Sequence, residues 1–326
     1  MRRKKMRSVI VTGGLGFIGF NALKDWAPKM KDTQFICFDC ETYAAQFKLE
    51  EKKKILADLG VVCFKKSICD PVAVENAVKD FAVDTIVNFA AESHVDNSIS
   101  GPMPFFETNV MGVVNLLEAC RKYGCRLHQV STDEVIGAKA PEDEDDTTEE
   151  AKLEPSSPYS SSKAAAELIV QSYVKTYGID ATTSRCTNNI GEWQNPEKLV
   201  PKTILNALAG KKIPVYGNGK QRRFWIDVKS HNDALLKILK SGKKGETYNI
   251  APPAENLLKN IDLVKHILNA VDKDEMLIEH VKDRAAHDIC YWLDSDKMFN
   301  ELGWVDNRDF KKTLKRTIEW YKKECR

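Results

Sequence analysis

Apolar positions along the first half of the chain follow two alternating rhythms. Short β-branched or aromatic runs at 8–12, 34–38, 61–64, 85–90, 127–131 and 181–185 predict strands. Between them, 17–26, 71–81, 108–123 and 158–177 predict helices; Val110, Val113, Val114 and Leu117 mark the helical spacing in the third. Strands alternating with helices predict βαβ units and an α/β fold, a doubly wound parallel sheet covered on both faces. After Arg185 the rhythm breaks into prolines, glycines and short helices. We expect an α/β domain over 7–185 and a smaller mixed α/β lobe over 186–326, with some crossover of the chain between them. No internal repeat or low-complexity tract is present.

Composition narrows the function classes. The chain has 326 residues, 43% hydrophobic and 29% charged, enough for a large core. A net charge of +2 gives no electrostatic case for a nucleic-acid partner. No apolar run approaches the ~20 residues needed to span a bilayer. The basic start, 1–7, precedes apolar Val9 to Val11, but Thr12-Gly13-Gly14 ends that run at once. It reads as a strand with a basic leader rather than a secretory signal, and a cytoplasmic location is expected. Nine scattered cysteines, an odd number, suggest reduced thiols. Cys37 and Cys40 form a C-x-x-C that lacks a second pair or a nearby histidine, so no metal site is expected. The acidic run at 142–150 reads as a solvated loop.

Thr12-Gly13-Gly14-Leu15-Gly16-Phe17-Ile18-Gly19 joins the first strand to the first helix. Gly13, Gly16 and Gly19 permit a tight turn and let the backbone approach a diphosphate, at which the helix N-terminus points its free N–H groups. Asp39 ends the second strand, where a carboxylate can accept hydrogen bonds from ribose hydroxyls. It would repel the extra phosphate of NADP, so NAD is the expected cofactor.

Tyr159 and Lys163 lie one helical turn apart and face the same side. An ammonium beside a phenol lowers the phenol's pKa and makes it a usable base. The pair follows the fifth strand, which ends at Ser131-Thr132, and ligands in such sheets bind at the carboxyl ends of strands. Thr132, Asp133 and Glu134 are therefore expected in the cleft. Two adjacent carboxyls with separated pKa values can divide acid and base duties, as elimination of water from a keto sugar requires.

These residues, with Phe89-Ala90-Ala91-Glu92-Ser93-His94-Val95-Asp96, Glu107-Thr108-Asn109-Val110 and Ser131-Thr132-Asp133-Glu134-Val135, make the chain resemble the extended short-chain dehydrogenases. It looks most like the dTDP-glucose 4,6-dehydratases. Tyr159-Ser160-Ser161-Ser162-Lys163-Ala164, Pro196-Glu197-Lys198-Leu199-Val200-Pro201, Pro214-Val215-Tyr216-Gly217-Asn218-Gly219, Asp283-Arg284, His287-Asp288 and Leu302-Gly303-Trp304 extend the likeness to the end. The resemblance implies a Rossmann fold and a lyase with tightly held, recycled NAD. It implies that Tyr159 deprotonates the hexose 4-hydroxyl and that Lys163 tunes it. Thr132 would bond near the 4-oxygen, Glu134 would take the carbon-5 proton, and Asp133 would protonate the leaving 6-hydroxyl. It assigns the cofactor to Gly13, Gly16, Phe17, Ile18, Gly19, Asp39, Ser67, Ile68, Ala90, Ala91, Tyr159 and Lys163. The nucleotide sugar falls to Ser93, Asn189, Lys198, Leu199, Arg223, Asn260 (or Asn256), Arg284 and Tyr291. Homodimers formed through helices near 108–123 and 161–177 are implied too.

The chain departs from the family pattern at several positions: Ile136, the Ile190-Gly191-Glu192-Trp193 stretch, Phe224, Ser67 and Ala285-Ala286. Several are expected to reshape the hexose pocket, for instance to admit an acetamido group as in UDP-N-acetylglucosamine 4,6-dehydratases, some of which invert carbon 5. Glu134 favours glucose. A 4-epimerase would lack the acid pair, a UDP-glucuronate decarboxylase would carry serine for Asp133, and an inactive NAD-binding scaffold would show damage among the catalytic residues.

Overall fold

β1 (Ser8–Thr12) sorts its side chains by parity: Val9 and Val11 enter one apolar layer, Ile10 the other. This is the period-2 signature of a strand covered on both faces. The computed structural model describes residues 5–140 and 147–324. After α1 (Phe17–Lys29), β2 (Gln34–Asp39) repeats the sorting, with Phe35 and Cys37 on one side and Ile36 and Phe38 on the other. Next come α2 (Leu49–Asp58), β3 (Val62–Lys65), α3 (Pro71–Asp80) and β4 (Thr85–Asn88). Two short helices, α4 (Val95–Ser100) and α5 (Met103–Phe106), and a π turn at Glu107–Met111 lead into α6 (Gly112–Tyr123). β5 (Arg126–Val130), α7 (Pro158–Tyr177) and β6 (Ala181–Cys186) follow.

Local chemistry sets the helix ends. Asp70 caps α3 by accepting from the Val72 and Ala73 N–H groups, with Pro71 at the first position. Ser157 and Ser160 form a reciprocal capping box on α7, a device worth about 1 kcal/mol. The expected helix over 108–123 is regular only from Gly112, where a Cβ would lie 2.5 Å from Ile68 Cδ1. The small residue lets α6 close onto the loop after β3.

The remaining chain supplies β7 (Asn188–Ile190), α8 (Leu199–Leu208), β8 (Ile213–Tyr216), β9 (Arg222–Asp227), α9 (Val228–Ser241) and β10 (Thr247–Ile250). β11 (Leu257–Lys259), α10 (Asn260–Ala270), β12 (Ile278–Val281), α11 (Asp296–Leu302) and α12 (Phe310–Glu324) complete it. The main sheet runs β10-β6-β5-β4-β1-β2-β3, all parallel. Its seventh strand thus comes from beyond residue 185, and α9 packs beside α1 in the same layer through Leu235 and Ile238. Leu116, Leu117 and Val170 of α6 and α7 cover the opposite face. A third core, with Ile204, Leu263, Ile267 and Ile318, joins α8, α10 and α12 around the small β11-β9-β7 and β12-β8 sheets.

Two local expectations change. Residues 142–146 of the acidic run lie outside the described residues. At the run's far end Thr147 is buried, and Glu149 Oε1 accepts from the Asn249 N–H at 2.7 Å. That end is a strap laid on β10, not a solvated loop, because the strand's edge N–H needs an acceptor. Cys37 is buried and hydrogen-bonded to Cys63, its register partner on β3, whereas Cys40 is exposed. Among the described residues no helix is long and apolar enough to cross a membrane.

Candidate active site

The order of the main sheet reverses direction between β1 and β4, and the glycine loop emerges there. Such a reversal opens a crevice at the carboxyl ends of the strands. Gly13 has φ +64°, and a Cβ on it would lie 2.7 Å from Ala90 N. A Cβ on Gly19 would stand 2.4 Å from Gly13 O. The loop is thus closed to side chains at two points, and α1 begins with no acidic residue in its first turn. The free N–H groups there face a cavity of about 360 Å³.

All the residues assigned above to the cofactor line this cavity: Gly13, Gly16, Phe17, Ile18, Gly19, Asp39, Ser67, Ile68, Ala90, Ala91, Tyr159 and Lys163. Asp39 accepts from Leu15 N at 2.9 Å and Glu41 N at 2.7 Å. Burial raises its pKa, and those two N–H groups oppose the rise. Each carboxylate oxygen keeps a second lone-pair site, so a ribose diol can still be accepted. A glycine cradle at a helix N-terminus with a carboxylate on the next strand fits a dinucleotide such as NAD.

The Thr132-Asp133-Glu134 stretch follows β5, and Asp133–Ile136 forms a 3-10 turn capped by Thr132. Thr132 Oγ1 donates to Asp133 Oδ1 at 3.1 Å and accepts from Glu134 N at 3.4 Å. Asp133 is buried, and its Oδ2 has no partner. Burial, then the neighbouring Glu134, pushes its pKa up to about 7, and Arg223 pulls against them. Glu134 is raised by burial too, opposed by Arg223, Arg284 and Lys198. Tyr159 stands in the first turn of α7, with its phenol hydrogen-bonded to the Thr132 side chain. Lys163 Nζ donates to the Val130 carbonyl at 2.6 Å. The expected lowering of the phenol's pKa does not prevail here. Burial first, then Glu134, holds Tyr159 well above its ordinary value, and burial brings Lys163 down to about 8.

The substrate assignments divide. Ser93, Asn189, Lys198 and Leu199 line the cavity; Arg223, Asn260, Arg284 and Tyr291 do not. Lys198 Nζ donates to Ser93 O at 3.1 Å. Arg223 lies 4.0 Å over the Tyr291 ring and donates to the Asp288 carbonyl at 2.9 Å. Arg223 reaches both acids through its charge, and Arg284 reaches Glu134. Asn260 opens α10 with its N–H on Gln221 O, and its Oδ1 is buried without a partner. Asn256 is buried too and is likewise absent from the cavity wall.

The departures are mostly elsewhere than expected. Ile136 packs with Val135 and Leu293, and Phe224 makes a tilted ring contact with Trp292 at 4.9 Å. Glu192 pairs with Arg316 at 3.4 Å. None of the three, nor Ala285 or Ala286, lines the cavity; Ser67 does. No site role was read from the sequence for Cys186, Thr187, Gln194 or Glu197, which do line it. Cys186 and Thr187 stand at the carboxyl end of β6, so the rule that located Thr132 would have found them. His231, on α9, carries no sequence signal; its ring meets Asn189 Oδ1 at 3.0 Å.

Comparison with known proteins places this geometry in a family. The GDP-mannose 4,6 dehydratase family model matches residues 10–317. A dTDP-glucose 4,6-dehydratase of Escherichia coli is 41% identical over 341 residues, covering 96% of this chain and 93% of that protein. One from Mycobacterium tuberculosis is 39% identical over 317 residues, with the same coverage. The crystal structure of DesIV, a dTDP-glucose 4,6-dehydratase from Streptomyces venezuelae with NAD bound, superposes with a TM-score of 0.90 at 36% identity, over 97% of both chains. A UDP-glucose 4-epimerase from Thermotoga maritima reaches a TM-score of 0.88 at 24% identity, so the fold alone does not separate the two chemistries. The acid pair and the full-length identities do, and this chain belongs to the extended short-chain dehydrogenases, in the nucleotide-sugar 4,6-dehydratase branch.

Proposed function

We propose that this chain converts a nucleoside-diphosphate hexose, dTDP- or UDP-glucose, into its 4-keto-6-deoxy form. The carrying observation is the buried Asp133 and half-buried Glu134 beside Tyr159 in one cavity with the glycine loop. NAD held on that loop supplies reversible oxidation, taking hydride from carbon 4 and returning it to carbon 6, so none is consumed overall. Tyr159 accepts the 4-hydroxyl proton; Lys163, charged below about pH 8, is the cation that offsets the burial of the phenolate. Glu134 removes the proton at carbon 5, acidified by the adjacent carbonyl, and gives one back there as hydride adds to carbon 6. Asp133, with a pKa near 7, keeps a proton to give to the departing 6-hydroxyl. Lys198 and Ser93 support the sugar nucleotide at the cavity wall, and Arg223 and Arg284 suit its diphosphate by bidentate geometry.

The closest competing substrate is UDP-N-acetylglucosamine, with or without inversion at carbon 5. Glu134 and the absence of Ile136 and Phe224 from the cavity wall favour glucose. Incubation with each of the three nucleotide sugars tests this. Product lighter by one water, with no NADH consumed, is expected from a glucose nucleotide. Unchanged mass with an inverted carbon 4 would sink the dehydratase reading. A homodimer and a cytoplasmic location complete the proposal.

A further inference from the structure

Lys52 lies on α2 with 1% of its surface exposed. Ammonium groups are rarely buried without a charged partner, because the loss of hydration is costly. Its helix neighbours Lys48 and Lys53 reach outward to Glu324 and Glu41 at 2.6 and 2.7 Å. Lys52 instead turns inward and donates to the Leu15 carbonyl at 2.9 Å and the Ala45 carbonyl at 3.4 Å. The Phe20 ring of α1 covers it, 5.9 Å from centroid to nitrogen. Leu15 is the middle of the glycine loop, and its N–H is already held by Asp39 at 2.9 Å. Both peptide groups flanking Leu15 are therefore gripped, one by a carboxylate and one by an ammonium. Ala45 belongs to the Tyr43–Ala45 turn, and Thr42, Ala44 and Ala45 form part of the cavity wall.

Two carbonyl dipoles and the charge of Asp39, which lies beyond ion-pair distance, are a thin return for a buried cation. A diphosphate seated on the loop would supply the missing negative charge, and the first turn of α1 offers only about half a positive charge of its own. We propose that Lys52 is a positioning residue for the dinucleotide, a buried cation that ties the glycine loop to the 43–45 turn and places a positive charge behind the diphosphate. The inference rests on the NAD site proposed above. Burial lowers the lysine's pKa to about 8 while Asp39 pulls it back up, so the ammonium form persists at neutral pH.

Two variants test it, Lys52→Met, which removes donor and charge, and Lys52→Gln, which keeps a donor. Each is stripped of nucleotide and titrated with NAD and, separately, with dTDP by calorimetry; melting without ligand controls for folding. Lys52→Met should weaken NAD at least about tenfold, with dTDP affinity within twofold of wild type, as expected for loss of a charge-assisted contact. Lys52→Gln should fall between, since it restores the tie to Leu15. With NAD saturating, kcat should stay near wild type. NAD affinity within twofold of wild type in folded Lys52→Met would overturn the proposal and leave Lys52 a packing residue. If wild type itself fails to bind NAD, the function proposed above fails instead.

Discussion

Asp133 shows how much one side chain's surroundings decide. In water a carboxyl is ionised at neutral pH; here burial and the adjacent Glu134 push it to about 7. The folded chain then holds this proton more tightly than the unfolded chain does. Its contribution to stability is present below the ordinary carboxylate range and lost as pH rises through about 7. Asp133→Asn should therefore melt above wild type at pH 8, with the gain shrinking at pH 5. The same variant, and Glu134→Gln, should slow product formation at least about a hundredfold while a transient NADH absorbance survives. Full turnover in both would disprove the acid–base assignment. The glycine loop and the Thr132-Asp133-Glu134 stretch were legible in the sequence because they stand in short motifs at strand ends. Lys52 was not: among Glu50, Glu51, Lys53 and Lys54 it looks like one more solvated charge, and only the packing of α2 against α1 turns it inward.

At the scale of elements, α7 carries Tyr159 and Lys163 and must hold its register against β6. A buried ion pair does this: Arg185 Nη2 meets Glu167 Oε2 at 2.9 Å, with both side chains almost wholly enclosed. Arg185 also donates to the Glu149 carbonyl at 3.2 Å, tying in the strap on β10. Removing one partner strands the other charge, which costs about 3–5 kcal/mol. Glu167→Ala should therefore lower the urea midpoint markedly, and Arg185→Leu with Glu167→Leu should recover part of the loss. A single variant as stable as wild type would show that water reaches the site. Element boundaries were predicted well where both periodicity and caps were strong, as at 158–177. They failed at 108–111, where a π turn interrupts a helix whose apolar spacing continues without a break.

For the whole molecule, assembly is the open consequence of the fold. Met103, Phe106, Met111 and Leu168 are exposed on α5, the π turn and α7, which pack against one another, and large exposed apolar side chains favour a partner surface. If the proposed dimer forms through these helices, light scattering should give twice the 36.8 kDa chain mass. Leu168→Asp should shift it toward monomer. A wild-type monomer at micromolar concentration would refute this.

Residues close together in the chain determined what they could by themselves. Hydrophobic parity specified the strands, glycine spacing the loop between β1 and α1, and the Thr132-Asp133-Glu134 and Tyr159/Lys163 spacings the proposed acid–base centre. Tertiary structure decided the rest. It added β10 to the main sheet, buried Ile136 and Phe224 in packing away from the cavity, and held Tyr159 above its ordinary pKa despite Lys163. The physical reason is range. Turn geometry and periodicity act over a few residues, whereas desolvation and strand pairing depend on which distant segments meet, and no local pattern encodes that.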